Sequence, residues 1–250
     1  MMADIALEPA SFAFVIAIAF IASILGGLSG FGAGAIVAPF LLPFFGEKIV
    51  FPVVASAMMV GNMARVWVYR HSIDFMTVRN VALPVIPGIM VGILIYDYLT
   101  PKLLSILIGC LLICSLFLRR FMAKRAIVPS VGGTVTAAFS AGMISANAPG
   151  GGVLIVSLLL GIGLKGATLI GTDAVIGVGL SLVTSVLFGT LGHLPLSALL
   201  VGLCVGAAMI PGAYVARWLM TQLSISVHLM IMEAFVVISG LVFVWNGLIP

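Results

Sequence analysis

The chain alternates long apolar runs with short polar interruptions, and the runs show no polar face. Apolar segments fall at about 10–27, 30–45, 50–69, 78–99, 102–119, 131–145, 150–163, 167–189, 196–218 and 228–248. A helix that is apolar all round faces lipid or a wholly buried core, and crossing a bilayer takes about 20 such residues at 1.5 Å each. Several runs meet that length. Others, notably 131–145 and 150–163, are too short. The short runs pair around two glycine-rich breaks, "GGLSGFGAG" (Gly26 to Gly34) and "SANAPGGG" (Ser145 to Gly152). Each pair reads either as two tight helices or as one hairpin of half-helices that enters the bilayer and turns back. Glycine costs a helix interior about 1 kcal/mol against alanine. Five glycines among the nine residues of the first break therefore mark a place where the helix is interrupted.

Composition agrees with the pattern. Hydrophobic residues make up 63% of 250, charged residues 7%, and the mean hydropathy is +1.36, outside the range of a soluble domain. The chain reads as an all-α integral membrane protein. "MMADIALEPASF" carries Asp4 and Glu8 where a signal peptide's basic region would stand, so the N-terminus is expected to be retained. Cys110, Cys114 and Cys204 give neither a disulfide framework nor a metal-ligand spacing and read as small apolar fillers. Zinc chemistry, phosphate-cradling loops and nucleic-acid readout have no supporting residues, and no cofactor is expected.

Internal similarity divides the chain. "PGIMVG" (Pro87 to Gly92) matches "PGAYVA" (Pro211 to Ala216) at an offset of 124, and Gly32 to Gly34 align with Gly150 to Gly152 at 118. "ASAMMVG" (Ala55 to Gly61) resembles "TDAVIGVG" (Thr172 to Gly179) at about 117. Three anchors in one order predict two repeats, residues 1–128 and 129–250, each a glycine-broken helix pair followed by three transmembrane helices. Charge predicts their orientation, because Lys and Arg concentrate in cytoplasmic loops. Placing Arg65, Arg70, Arg79, Arg119, Arg120, Lys124, Arg125, Lys165 and Arg217 inside puts nine of the eleven basic residues there. Lys48, Lys102 and both termini then lie outside. Repeat one starts outside and repeat two inside, so the repeats are expected to be inverted.

In an inverted-repeat carrier, broken helices bring free backbone groups to the membrane midplane, where irregular backbone is tolerated around a cavity. The helix N-terminus after each break offers unpaired N–H groups to an anion. Candidate substrate-binding residues are Ser29, Gly30, Gly32 and Gly34 at the first break, and Ser145, Asn147, Gly150 and Gly151 at the second. Asn62 and Thr172, on the helices that follow, join them; Thr172 and Ser56 also suit a bond back to their own helix. Asp173 lies eight residues past Lys165, about 12 Å into the membrane by helix rise. A carboxylate at that depth reads as a proton-coupling group or as a helix–helix hydrogen bond. Arg65 is expected to snorkel to the cytoplasmic surface or to draw an anion into the inner vestibule, and Glu233 to form an interfacial ion pair. The histidines and Trp67, Trp218 and Trp245 fall at segment ends, as interfacial residues do.

The two glycine clusters, the patches "ASAMMVGN" and "GTDAVIG", and the proline–glycine helix starts together resemble the TauE/SafE family, also called the 4-toluene sulfonate uptake permeases. The resemblance covers nearly the whole chain. It implies a multi-pass carrier of the bacterial inner membrane that moves sulfite, organosulfonates or related sulfur-containing anions, usually by export. The chain departs from the family's pattern in "ASA", where a Gly-Thr-Ser-like element is common, and in Asp173, where a neutral residue is expected. An ionised Asp173 would repel an anion unless protonated.

Two other classes compete. Paired half-helix hairpins also build aquaporin-type channels, and "NAP" (Asn147 to Pro149) is a scrambled echo of their Asn-Pro-Ala signature, but the first break has no such triplet. "GLSG" (Gly27 to Gly30) matches the pattern around the serine of rhomboid-type proteases. That chemistry needs a histidine within reach of the serine, and none is expected at matching depth.

Overall fold

A computed structural model describes residues 8–30, 32–96, 98–125, 130–147, 152–222 and 225–248, and among them the chain is helical, with no strand. In order the helices are α1 (Pro9–Ser29), α2 (Ala33–Tyr69), a 3-10 turn (Arg70–Ser72), α3 (Phe75–Tyr96), α4 (Pro101–Arg125), α5 (Val131–Ser145), α6 (Gly152–Gly161), α7 (Gly166–Thr190), α8 (Leu196–Leu219) and α9 (Ile225–Leu248). Among the described residues, five spans are long and apolar enough to cross a bilayer: α1, α2 with its following turn, α3, α7 and α8. α4 and α9 run 25 and 24 residues, with apolar described stretches at Pro101–Cys114 and Val236–Leu248.

The pattern-based boundary between the runs at 30–45 and 50–69 falls at a kink: α2 is two helical parts that meet at Gly46, whose backbone is non-helical (φ 66°, ψ 174°). Glu47–Lys48, the polar pair that marks the boundary in the sequence, directly follows it.

The break after α1 is built by two left-handed residues. Gly30 (φ 86°) ends α1 with its N–H on the Gly26 carbonyl at 2.8 Å, and Gly32 (φ 93°) precedes the first residue of α2. Any side chain would be strained at either position. From this turn residues 33–45 run back along α1, and the rings of Phe40 and Phe14 meet at 5.7 Å. α1 and the first part of α2 are thus a hairpin with its tip at Gly30–Gly32.

Helix directions follow from residue contacts. α1 runs parallel to α8: Gly212 lies against Phe20 and Ser23, and Gly27 against Ala216. α5 runs parallel to α3 in the same way, with Gly88 against Phe139 and Met143 and Gly92 against Met143 and Ala146. α2 and α7 are antiparallel, with contacts between Tyr69 and Gly171, Asn62 and Gly177, and Phe51 and Phe188. α4 and α9 are antiparallel too, with Gly109 against Gly240 and Val244, and Gly247 against Lys102 and Ile106. Without a hydrophobic drive between helices in lipid, close backbone approach at small residues supplies the packing.

These directions sort the connections into two ends. Tyr69, His71, Ala167, Arg217 and Thr221 surround one hollow of about 210 Å³, which marks the arginine end. At the opposite end the Tyr96 hydroxyl donates to the Lys48 carbonyl at 3.1 Å, and the His193 ring packs against Tyr96 and Phe188. The tip of the first hairpin reaches toward the arginine end, since the Tyr69 hydroxyl donates to the Gly27 carbonyl at 3.4 Å. α5 starts at the arginine end, beside the start of α3, and runs the other way. The Asn147 amide past its end donates to the Gly92 carbonyl at 3.0 Å. The two glycine breaks therefore approach each other from opposite ends of the molecule.

Candidate functional site

Between the breaks lies a cavity of about 80 Å³. Gly30, Gly32 and Gly34 line it from the first break, Ser145 and Gly152 from the second, Asn62 from α2 and Asp173 from α7. At about 10–15 Å³ per water-sized sphere, that space holds one small oxyanion or a few waters. Phe51, Val54, Met58, Ile155 and Leu180 form its apolar remainder. α2 starts at Ala33 and α6 at Gly152, so both helix N-termini that follow the breaks stand at this cavity. The first N–H groups of a helix have no partner within it and carry the positive end of its dipole.

The expected site residues divide into three groups. Gly30, Gly32, Gly34, Asn62, Ser145 and Asp173 share the cavity wall. Ser145 is 2% exposed, and its Oγ has no hydrogen-bond partner among the described residues. Ser29, Asn147 and Thr172 are outside the wall. The Ser29 hydroxyl donates to the Leu25 carbonyl at 2.9 Å, and the Asn147 amide also donates to the Met143 carbonyl at 3.0 Å. Thr172 Oγ1 accepts the Asp74 N–H at 3.0 Å, which ties the start of α3 to α7. Gly150 and Gly151 lie outside the described residues.

Arg65 corrects the sequence-based expectation. It does not snorkel to the surface; it is 5% exposed and lines the cavity. Nη2 donates to the Asp173 carboxylate at 2.8 Å and to the Gly30 carbonyl at 3.0 Å, and Nη1 donates to Asn62 Oδ1 at 3.0 Å. Asp173, 6% exposed, thus meets a cation rather than standing alone. The guanidinium binds one residue of the break, one of α2 and one of α7, and so fixes the hairpin tip against the crossing of the two longest buried helices. The signal was present in the sequence: a carboxylate deep in a membrane segment calls for a cation at its own depth. Arg65 stands four residues before the end of α2 and Asp173 is the eighth residue of α7, on antiparallel neighbours.

At the other end the cavity is bounded by aromatic side chains. Phe51 meets Phe188 edge-on at 5.7 Å, and Phe188 meets Tyr96 at 4.8 Å. The charged pair of the cavity therefore sits toward the arginine end and Phe51 toward the aromatic end, while Ser145 and Ser181 line the wall between them.

No curated protein and no solved structure matches the chain. The family described as Sulfite exporter TauE/SafE matches it over residues 15–243, a stretch that includes both glycine breaks, the Arg65–Asp173 pair and the helices that pack around them. An all-helical membrane protein matched from within α1 to within α9, this chain belongs to the TauE/SafE sulfite exporter family.

Proposed function

We propose that the protein is a secondary carrier of the bacterial inner membrane that exports sulfite or small organosulfonates. The anion is held where the two glycine breaks meet, and access alternates between the two ends. One observation carries the reading: two helix N-termini, a serine hydroxyl without a partner among the described residues and an arginine converge on one small cavity in the membrane-embedded part of the chain. Oriented N–H groups and a guanidinium together suit an oxyanion.

The packing supports two inverted halves. Matching α1 with α5, the two parts of α2 with α6 and α7, α3 with α8, and α4 with α9 turns the α1–α8 pair into the α5–α3 pair. Both of these pairs are parallel. The self-matched pairs, α2 with α7 and α4 with α9, are antiparallel. A two-fold axis that exchanges antiparallel neighbours lies across the helices, in the plane of the membrane. Gly34 and Gly152, at the offset of 118, both line the cavity.

Closures on both sides favour a carrier over a continuous pore. Toward the arginine end stand the Arg65 contacts and the Tyr69–Gly27 bond; toward the other stands the Phe51–Phe188–Tyr96 cluster. The proposed coupling group is Asp173. The test is flux of labelled sulfite and of methanesulfonate in proteoliposomes, with and without an imposed pH gradient. Gradient-driven flux that disappears in Gly32→Val, with the variant still inserted, is the expected result. Normal flux in that variant would remove the site assignment.

A further inference from the structure

We propose that Arg65 is the charge that binds the transported anion, and that the Asp173 carboxylate takes the anion's place on it when the cavity is empty. The proposal rests on the carrier reading and names the groups through which a substrate would enter and leave the site.

Two features of the pair point this way. A buried ion pair is a poor source of stability, since the desolvation of both charges offsets their attraction. Placing one at the wall of a cavity, between the two helices that cross there, is better explained by what the charges exchange. The guanidinium is also incompletely used. It has five N–H donors arranged to take a carboxylate or sulfonate two-pronged, yet Asp173 engages it through one oxygen, and Nε is buried without a partner among the described residues. The neutral acceptors Asn62 and Gly30 hold the rest of the group in position. Arg65 is thus held in place by neutral contacts, and its one anionic contact is open to replacement.

Charge balance then determines the exchange. The empty pair has no net charge. Adding a monovalent anion would leave an unbalanced negative charge away from water, which is costly. One proton on the displaced carboxyl restores neutrality: Arg65 and Asp173 as an ion pair, plus anion, plus H⁺, become Arg65 paired with the anion beside a neutral Asp173. One O–H bond forms on the carboxyl, its proton comes from the side on which the anion enters, and nothing is oxidised or reduced. Toward the arginine end, the other titratable or charged groups on the elements around Asp173 are Tyr69 on α2, Arg70 and His71 in the turn after it, Arg79 on α3, Tyr214 and Arg217 on α8, and Asp74 and Lys165 in the connections; Glu47, Lys48 and Tyr96 stand at the opposite end, and Cys204 is farther along α8. Among the described residues its ion-pair partner is Arg65. Arg217 is turned to the Val68 carbonyl and the Tyr69 ring, and Asp74 to Thr77.

The test uses methanesulfonate, which stays ionised across the working range, binding to the purified full-length protein by calorimetry between about pH 6 and 8, where a linked proton gives up to a tenfold loss of affinity per unit of rising pH. The wild type is expected to follow that slope. Asp173→Asn keeps the side chain's shape without its charge and is expected to bind about tenfold or more tightly than wild type at the high end, with no pH dependence. Weaker binding by Asp173→Asn than by wild type would overturn the proposal, because the carboxylate would then support the anion rather than compete with it. Arg65→Gln combined with Asp173→Asn leaves no unpaired buried charge; it should remain monodisperse and bind neither methanesulfonate nor sulfite. Binding by this double variant as strong as that of Asp173→Asn would remove Arg65 from the role. Tight, pH-independent binding by the wild type would remove this proposal and leave the carrier. Binding of neither anion by any of the three proteins would remove the carrier reading and this proposal with it.

Discussion

At the scale of single residues, the chain separates polar groups that close the fold from polar groups that face the cavity. Asp74 belongs to the first kind. It precedes α3, where its carboxylate accepts the Thr77 hydroxyl at 2.8 Å and the Met76 and Thr77 amides at 3.0 and 3.1 Å. These bonds, that of the Thr77 hydroxyl first, hold its carboxyl below the usual carboxylate range. A depressed carboxylate contributes stability above its unfolded value and loses it as pH falls through the folded one. Asp74→Ala should therefore unfold earlier on heating in detergent at neutral pH, by about 1 kcal/mol. The difference from wild type should shrink as the pH falls below about 4. Ser145 is of the second kind, and Ser145→Ala should leave melting unchanged while weakening anion affinity, read by the same calorimetry; an unchanged affinity would mean that its hydroxyl is idle. Residue identity alone did not distinguish these roles. Ser29 and Ser145 end α1 and α5 in similar glycine-rich settings, yet the first bonds back to Leu25 and the second turns to the cavity. Which way a side chain faces depends on a rotamer that tertiary packing selects.

At the scale of elements, hydropathy located nearly every helix, because lipid permits no other local backbone. It also placed a boundary at the kink of α2 beside Glu47–Lys48, and it left open whether the short pairs were hairpins. Length alone cannot answer that, since α1 runs 21 residues and α6 only ten. The answer lies in the contacts between elements, which a single sequence does not contain. α3 and α5 illustrate those contacts. A side chain at Gly142 would run into the backbone of Val85, and one at Gly88 into the backbone of Phe139. Both walls are main chain, which cannot swing aside. Gly142→Leu should thus destabilise the protein by several kcal/mol, the upper range for overpacking. Thermal unfolding in detergent should show this, whereas Gly132→Leu, where nothing stands within 4 Å, should melt close to wild type.

At the scale of the whole molecule, the charge bias and the three internal matches led to the expectation of two inverted halves before any contact was known. "PGIMVG" and "PGAYVA" stand on α3 and α8, where Gly88 meets α5 and Gly212 meets α1 at corresponding places. The depth of Asp173 called for a cation, but the sequence could not say that Arg65 was the one, because it places residues by depth but not by azimuth around a helix. Inversion has a direct test. The connection after α2 and the connection after α7, matched in the proposed halves, lie at opposite ends. Single cysteines at Ser72 and at Gly192, introduced after replacing Cys110, Cys114 and Cys204, should react with an impermeant thiol reagent from opposite sides of the membrane, Ser72 from the cytoplasm. Labelling of both from one side would refute the arrangement.

α2 has one further consequence. Past its bend it continues without a second break from Phe51, in the aromatic closure, to Arg65, in the ionic one. Those residues are fourteen apart, about 21 Å along the axis. Between them Asn62 bears on Gly177 of α7, where a single methyl group would already come within 2.6 Å of the Asn62 amide. In the proposed carrier, a stiff rod with a latch at each end and a tight bearing between them would behave as a lever. Tilting it to release one latch would press the other home, so the cavity would not be open to both sides at once.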